Sequence, residues 1–275
     1  MTTEVFGVPV EYKIVGEGTP VLCIHGWTES MVQMEHSIEP VFAPFISYKR
    51  IYFDLPGMGK TPRCDQVKNS DDMLRFVRAF VEQVIPEGQF LAISRSYGGY
   101  ILRGLLAAMP ERIMGGIFIC PLVEPIRQKR ILPNFKVVYR NEELIKQLPA
   151  SHRVLFTNLF VIQDQYTYDR FLDELASAAA IDEPYLRSIS HSPGYAFSEL
   201  PEENGLCDVP TLFFLGKQDN VVGYAQCVDL VRDHYPRHSL LLWENAGHNL
   251  EIEHHNLFCE TLKSWLRGIE NEESL

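Results

Sequence analysis

The stretch AISRSYGGY, residues 92–100, follows an apolar run and leads into a helix-like pattern. It contains two serines, Ser94 and Ser96, and each is a candidate nucleophile. A nucleophilic serine on a sharp strand-to-helix turn needs small residues two positions before and after it, because strand and helix pass close together there. Ser94 lies between Ala92 and Ser96, and Ser96 lies between Ser94 and Gly98. Flanking size therefore does not decide between the two serines.

Position along the chain separates the two serines. The run QFLAIS, residues 89–94, is typical of a buried strand, and YGGYILRGLLAAM, residues 97–109, is typical of the helix that leaves it. Gly98 and Gly99 lie where that helix begins, and glycine allows close approach of the backbone. We therefore predict that Ser96 lies at the apex of the turn and is the nucleophile. The alternative is that both serines merely end a buried strand.

Further apolar runs recur on both sides of this stretch, each closed by turn residues. They are PVLCIHG (20–26), KRIYFDLPG (49–57), GGIFICP (115–121), PTLFFLG (210–216) and SLLLWENAG (239–247). Nearly continuous apolar runs are typical of strands that are buried on both faces of a parallel sheet. Helical patterns lie between them, including residues 70–85 with Ser70 as the predicted N-cap, and residues 4–16 predict a hairpin with its turn near Gly7. The alternation predicts an α/β fold with a mostly parallel, doubly wound sheet.

One interval breaks the alternation of strands and helices. Residues 123–205 show no clear strand and contain helix-like, aromatic-rich stretches. A plain crossover connection needs far fewer residues. We predict that 123–205 is an inserted, mostly helical cap, and that residues 1–122 and 206–275 form the core.

Residues with catalytic chemistry follow the predicted strands, and ligands bind beyond the carboxyl ends of strands in such a sheet. A serine hydroxyl needs a base, and His248 follows the last run directly. The base needs an acid to fix its tautomer. Asp219, which follows the fifth run and precedes His248 in the chain, is the predicted acid, and Glu124, which follows the fourth run, is its rival.

The predicted reaction also needs donors for the developing oxyanion. The amide of Tyr97 is one candidate, and the amide of Trp27, in the loop after the first run, is the other. Trp27 is equally well explained as an apolar wall residue. His25, Arg95 and Glu124 are candidate substrate-binding residues, because each follows a predicted strand or lies within the turn.

Composition and motifs exclude several other functions. The net charge of −11 argues against nucleic acid and anionic membranes as partners, and the chain has no apolar stretch of membrane-spanning length. In GMGKT, residues 57–61, a phosphate loop would need glycine where Asp54 stands. The histidines do not form a zinc-binding helix pattern, so we expect a small-molecule substrate and neither a cofactor nor a metal. Scattered cysteines inside apolar runs and the lack of a signal-peptide pattern predict a cytoplasmic protein.

The motifs together resemble the α/β-hydrolase superfamily over essentially the whole chain. They are HGW (25–27), FDLPGMG (53–59), SRSYGG (94–99), GKQD (216–219) and AGH (246–248). The resemblance implies that these are the oxyanion loop, a glycine-bearing turn, the nucleophile elbow, the acid loop and the histidine loop. It implies Ser96 as nucleophile, Asp219 as acid, His248 as base, Trp27 and Tyr97 as oxyanion donors, and a cap inserted after the sixth strand.

The elbow departs from the usual pattern of that superfamily at two positions. Ser94 replaces the usual first glycine, so its side chain must fit against the neighbouring strand. Arg95 stands where members often have histidine or an aromatic residue, and we expect it to pair with a cap carboxylate or to point into solvent. A serine nucleophile also argues against the similar dehalogenase and epoxide-hydrolase branches, which use aspartate.

The sequence therefore predicts a serine hydrolase that cleaves a small carboxylic ester or thioester through an acyl-enzyme. Two alternatives stay open. The same three residues also suit a C–C bond, an amide bond or a perhydrolase reaction. The fold is also compatible with a ligand-binding protein without turnover. The sequence does not indicate the oligomeric state.

Overall fold

A computed structural model describes residues 1–178, 181–191 and 193–272. The strands are β1 Thr2–Val5, β2 Val8–Val15, β3 Thr19–Ile24, β4 Tyr48–Phe53, β5 Phe90–Arg95, β6 Ile113–Ile119, β7 Tyr139–Arg140, β8 Ile162–Gln163, β9 Thr211–Gly216 and β10 His238–Trp243. The α-helices are α1 Met31–Phe42, α2 Ser70–Val84, α3 Tyr97–Ala108, α4 Glu142–Gln147, α5 Ala150–Leu159, α6 Gln165–Ala178, α7 Glu183–Ser190, α8 Ala225–His234, α9 Leu250–Glu253 and α10 His255–Glu272. Among these helices, none combines the length and the apolar character that a membrane span requires.

An eight-stranded sheet in the order β1-β2-β4-β3-β5-β6-β9-β10 forms the centre of the molecule. The predicted hairpin is present, because β1 and β2 pair antiparallel around Gly7, whose φ of 77° suits glycine. Strand β2 also pairs antiparallel with β4, and every further pair from β4 to β10 is parallel. The predicted mostly parallel sheet is therefore confirmed.

Helices cover both faces of this sheet, as a doubly wound fold requires. In β5, Phe90 and Ala92 join the apolar cluster under α2, α3 and α8, whereas Leu91 and Ile93 join the cluster under α1 and α10. Alternate residues of one strand point to opposite faces. Because both faces are apolar, the strand has no polar alternation, which explains the continuous apolar runs of the sequence.

The predicted start of α2 is wrong by one residue. Asn69 is the N-cap, and its side chain accepts the amide N–H of Asp72. Ser70 lies in the first turn and is buried, where its hydroxyl donates to the carbonyl of Tyr195 at 2.8 Å. Asparagine caps a helix as well as serine does, so Asn69 can take the position predicted for Ser70. The hydroxyl of Ser70 is used in a tertiary contact instead.

Helix α1 is an element that the sequence analysis did not predict. Its start carries a local signal, because the amide N–H of Ser30 donates to the side chain of Gln33 three residues later. The amide of Met31 donates to Asp54 Oδ1 at 2.7 Å. This second bond links the start of α1 to the end of β4.

The segment between β6 and β9 contains α4 to α7 and the short parallel pair of β7 and β8. The sequence analysis did not predict these two strands, whose two-residue length leaves no periodic pattern. Phe156, Phe160 and Phe171 form an apolar cluster that also includes Ile252 from α9. The segment therefore packs against the loop region that follows β10. The cap boundaries at residues 123 and 205 stay a prediction.

Candidate active site

Ser96 occupies a strained turn between β5 and α3. Its backbone has φ 51° and ψ −116°, in the region that residues other than glycine rarely adopt. Two of its backbone hydrogen bonds join this turn to the end of β6 and the residues after it. The amide N–H of Ser96 donates to the carbonyl of Ile119 at 3.0 Å, and its carbonyl accepts the amide of Leu122 at 2.9 Å. The end of β6 and the residues just after it therefore fix the turn.

The small residues around Ser96 are required by close contacts. A Cβ on Gly98 would lie 2.3 Å from the carbonyl oxygen of Ile24, which is the last residue of β3. Ser94 is fully buried, and its hydroxyl donates to the carbonyl of Ile117 in β6 at 2.9 Å. The prediction that Ser94 fits against the neighbouring strand is confirmed.

The structure brings together Ser96, His248 and Asp219, the three residues that the sequence analysis predicts to be catalytic. Ser96 Oγ lies 3.1 Å from His248 Nε2, and His248 Nδ1 lies 2.8 Å from Asp219 Oδ2. The other carboxylate oxygen of Asp219 accepts the amides of Val221 and Val222 at 2.9 and 3.0 Å. These contacts leave Nε2 of the imidazole free to accept the serine proton when Nδ1 carries hydrogen.

Asp219 is ionised in this setting. Burial alone raises the pKa of a carboxyl group, but the charge and hydrogen bond of His248 and two amide donors outweigh it and hold the pKa of Asp219 below its ordinary value. An ionised acceptor keeps the hydrogen on Nδ1 of His248, because that nitrogen faces the carboxylate.

Glu124, the rival acid, is engaged elsewhere. Its carboxylate accepts the amide N–H of Ile126 at 2.8 Å, within its own loop. It does not hydrogen-bond to His248 and does not line the cavity in front of Ser96. Its predicted role in substrate binding is therefore not supported by its position, because a local turn takes up the side chain.

His25 also does not reach the cavity. It is fully buried, its Nε2 accepts the amide of Leu55 at 3.0 Å, and its Nδ1 donates to the carbonyl of Gly26 at 2.7 Å. Burial lowers the pKa of His25, which agrees with a neutral ring that both donates and accepts. The imidazole joins the loops after β3 and β4. The predicted contact of His25 with substrate is therefore wrong, and the side chain instead holds these two loops together.

The two predicted oxyanion donors lie beside the elbow. Tyr97 is the first residue of α3, and the first amides of a helix have no intrahelical acceptor. Trp27 follows the end of β3, which contacts the start of α3 at Gly98. The Trp27 ring packs edge-on against the Tyr97 ring at 4.7 Å and against Tyr195 at 5.1 Å. Trp27 thus forms part of the cavity wall, and the donor role of both amides stays a prediction.

A cavity of about 360 Å³ opens in front of Ser96. Apolar side chains make up much of its wall, and they include Trp27, Leu122, Leu159, Phe171, Tyr195 and Val222. Arg95 and Arg130 are its cationic lining residues. A larger cavity of about 640 Å³ lies near the end of α3, but neither Ser96 nor His248 lines it. The smaller cavity is therefore the candidate site.

Residues 19–255 match the family described as alpha/beta hydrolase fold. The chain belongs to the α/β-hydrolase family. It is 26% identical over 270 residues to the 2-hydroxy-6-oxo-6-(2'-aminophenyl)hexa-2,4-dienoic acid hydrolase of Metapseudomonas resinovorans, covering 94% of this chain and 88% of that protein.

Solved structures show the same fold. An alpha/beta superfamily hydrolase from Oenococcus oeni PSU-1 has a TM-score of 0.88 at 22% identity, covering 98% of this chain and 99% of that one. The esterase of Exiguobacterium antarcticum has a TM-score of 0.73 at 19% identity, covering 97% and 100%. The predicted superfamily is confirmed.

Arg95 connects the turn at Ser96 of this α/β-hydrolase site to the loop after β3 and to the segment after β10. Its guanidinium donates to Glu29 in the loop after β3, to Asn249 Oδ1 and to Glu251 Oε1, the last at 2.6 Å. It also donates to the carbonyl of His248 at 3.4 Å. The expected pairing with a cap carboxylate or exposure to solvent is therefore wrong, because two carboxylates of the core flank the buried guanidinium.

Glu29 extends this network to the predicted oxyanion loop. Its carboxylate accepts the amide N–H of Gly26 at 2.8 Å while it pairs with Arg95. A Cβ on Gly26 would lie 2.5 Å from the same carboxylate, so the glycine is needed for this contact. The sequence analysis missed Glu29 and Glu251, and neither belongs to a recognisable motif.

Glu253 is a second buried carboxyl behind the histidine loop. Its two oxygens accept the amide of Gly247 at 2.6 Å and the amide of Val161 at 2.7 Å. It therefore links the residue before His248 to the segment between β6 and β9. Burial raises the pKa of Glu253 to about 8, and the nearby charge of Glu251 acts in the same direction.

Cys120, Asp219 and His248 place potential metal ligands within 4.8 Å of one another. The group does not fit a metal ion well. Burial holds the pKa of the Cys120 thiol well above its ordinary value, and a thiol must ionise to bind metal. Asp219 and His248 are already engaged with each other. The arrangement suits proton transfer better than metal binding.

Removal of the Arg95 charge should destabilise the fold strongly. Arg95→Met leaves Glu29 and Glu251 buried without their cation, so we expect a loss of about 3–5 kcal/mol in the free energy of unfolding, measured by urea denaturation. Arg78→Met is the matched control, because Arg78 forms an exposed ion pair with Glu82 and should cost less than about 1 kcal/mol. Equal losses in the two variants would contradict the buried network.

Glu253 should give the stability a specific pH dependence. Its folded pKa of about 8 lies above the model-peptide value of 4.5, so the folded state holds more protons than the unfolded state between these values. Its contribution therefore weakens as pH rises from about 4.5 to 8, with a slope of up to ~1.4 kcal/mol per pH unit. The check is the difference in unfolding free energy between wild type and Glu253→Gln across this range. Parallel pH profiles would refute the assignment.

Proposed function

We propose that the protein is a serine hydrolase that cleaves a small carboxylic ester or thioester through an acyl-enzyme. The observation that carries the proposal is the hydrogen-bonded series Ser96–His248–Asp219, with distances of 3.1 and 2.8 Å, at the mouth of an apolar cavity. Each member lies within the reach that nucleophile, base and orienting acid require.

In the first half of the proposed reaction, Ser96 Oγ attacks the carbonyl carbon while His248 Nε2 takes its proton. The carbonyl oxygen becomes an oxyanion, which the amides of Trp27 and Tyr97 stabilise. The tetrahedral intermediate collapses, and the bond to the leaving alcohol or thiol breaks. His248 gives its proton to the leaving group, and Asp219 stabilises the imidazolium throughout.

In the second half, water attacks the acyl-enzyme carbonyl. His248 Nε2 takes a proton from the water, and a second tetrahedral intermediate forms at the same oxyanion donors. Its collapse breaks the bond to Ser96 Oγ, and His248 returns the proton to that oxygen. The products are a carboxylic acid and the free enzyme.

The cavity supports a small acyl group whose carbon chain lies against apolar side chains. Its volume of about 360 Å³ lies near the lower end of the range for small-molecule sites. Leu159, Phe171 and Tyr195, which belong to the segment between β6 and β9, form part of the wall. We propose that residues 123–205 act as a cap, which means that they cover the cavity in front of Ser96 and form part of its wall. The esterase of Exiguobacterium antarcticum, with the same fold, is consistent with the proposal.

A second candidate is hydrolysis of a carbon–carbon bond beside a ketone. The name of the Metapseudomonas resinovorans relative describes a carboxylic acid that carries an oxo group and no ester. A chain acting on such a compound would use Ser96, His248 and Asp219 in a different bond cleavage. The same site therefore serves both candidates, and a comparison of ester and ketone substrates separates them.

The cysteines support a reducing location for this reaction. Cys23, Cys64, Cys120, Cys207, Cys227 and Cys259 are all free, and five of them are buried. We therefore keep cytoplasm as the proposed location.

A fluorophosphonate should label Ser96 covalently. We expect Ser96→Ala to lose both the label and turnover of short esters, by at least ~10⁴-fold in kcat, because the nucleophile is gone. Ser94→Ala is the matched control and should keep the label, since its hydroxyl only bonds to the Ile117 carbonyl. Peptide mass mapping of the adduct gives the measurement. A label on folded wild type that persists in Ser96→Ala, or no label at all, would overturn the proposal.

A further inference from the structure

Arg130 lines the same cavity as Ser96 and is held there by backbone carbonyls. Its Nε donates to the carbonyl of Glu124 at 2.9 Å, its Nη1 to that of Val221 at 2.9 Å, and its Nη2 to that of Pro125 at 3.2 Å. These bonds fix the half-buried guanidinium on two sides. Its acceptors are neutral groups, which orient a cation without neutralising it.

The three buried arginines among the described residues have carboxylate partners, whereas half-buried Arg112, like Arg130, donates to backbone carbonyls. Arg50 pairs with Glu39, Arg95 with Glu29 and Glu251, and Arg103 with Glu202. Within residues 1–178, 181–191 and 193–272, by contrast, no carboxylate lies within 4.0 Å of Arg130, although the chain as a whole has 36 acidic residues.

The nearest acidic groups are committed to other partners. Asp219 accepts from His248, Val221 and Val222, and the Glu124 side chain accepts from Ile126. The charge of Arg130 therefore faces the cavity without an ion pair from the described residues, and the charges of Asp219 and Glu124 act on it only from beyond 4.0 Å.

The guanidinium also keeps donors for a ligand. The three carbonyl bonds use one N–H on each nitrogen, and a guanidinium has more N–H groups than these three. Its planar fork matches the two oxygens of a carboxylate, and such charge-assisted pairs are stronger than neutral hydrogen bonds. Glu29 also lines this cavity, but its carboxylate is paired with Arg95. A cation without a carboxylate partner, beside apolar walls, favours an anionic ligand group over a neutral one.

We infer that Arg130 binds a free carboxylate on the substrate, and that the substrates are monoesters of short dicarboxylic acids. The inference rests on the proposed function. The ester carbonyl lies at Ser96, the short carbon chain lies along Leu122, Tyr195 and Val222, and the distal carboxylate pairs with Arg130. This makes Arg130 a specificity-determining residue of the site.

The test compares esters of matched chain length with and without the distal carboxylate. Monomethyl succinate, glutarate and adipate are paired with methyl butyrate, valerate and hexanoate. We expect wild type to prefer at least one monoester over its neutral partner by about 10-fold or more in kcat/KM. Arg130→Gln should remove that preference by lowering kcat/KM for the monoester by about 10-fold or more, mainly through KM, while the neutral ester is unaffected. Arg130→Lys should give an intermediate value because it keeps the charge and loses the fork.

Two controls make the outcomes distinct. Arg127→Gln removes an exposed arginine of the same segment and should leave the preference unchanged. In wild type, glutarate should slow fluorophosphonate labelling of Ser96 at concentrations where the neutral amide valeramide does not, which needs no variant to fold.

The results separate this inference from the proposed function. Labelling of Ser96 together with no preference for monoesters, or with a preference that Arg130→Gln leaves unchanged, would overturn the inference alone. Absence of labelling in wild type would overturn the proposed function itself.

Discussion

The positive-φ backbone conformation of Ser96 depends on two hydrogen bonds to β6 and the residues just after it. The amide of Ser96 donates to the carbonyl of Ile119, and the amide of Leu122 donates to the carbonyl of Ser96. A residue in such a conformation costs about 1–3 kcal/mol, which the packed surroundings must supply. This backbone conformation places the hydroxyl beyond the end of β5 and allows α3 to begin at the next residue. Because parallel strands end at one edge, the loops after β9 and β10 bring Asp219 and His248 to the same place.

Buried charged side chains fix the positions of these loops relative to one another. Arg95 is the last residue of β5 and joins Glu29, which holds the loop after β3, to Glu251 and the carbonyl of His248. Glu253 adds a bond from Gly247 to the segment between β6 and β9. Buried ion pairs contribute little net stability, yet loss of one partner is costly. We interpret the network as a positional constraint: it fixes how the elbow, the histidine loop and the predicted oxyanion loop lie relative to one another.

The sequence predicted those features that follow from local patterns and strand order. Continuous apolar runs identify strands buried on both faces, and the residues that follow them meet at one edge, so Ser96, Asp219 and His248 were within reach of sequence reasoning. Arg95 was misjudged because its partners Glu29 and Glu251 are far away in the chain and carry no motif. The predicted N-cap of α2, Ser70, was wrong for a related reason, because Ser70 is engaged in a tertiary contact with Tyr195. Pairings of this kind depend on packing that a single sequence does not contain.

The acyl-enzyme itself provides the most direct test of the account. Turnover of a short-chain aryl ester is quenched with acid within milliseconds, and the mass of the peptide that contains Ser96 is measured against time. The account predicts that this peptide gains the mass of the acyl group, in a burst that approaches one equivalent per site before steady turnover. Steady turnover with an unmodified Ser96, or with the acyl group on another residue, would contradict it.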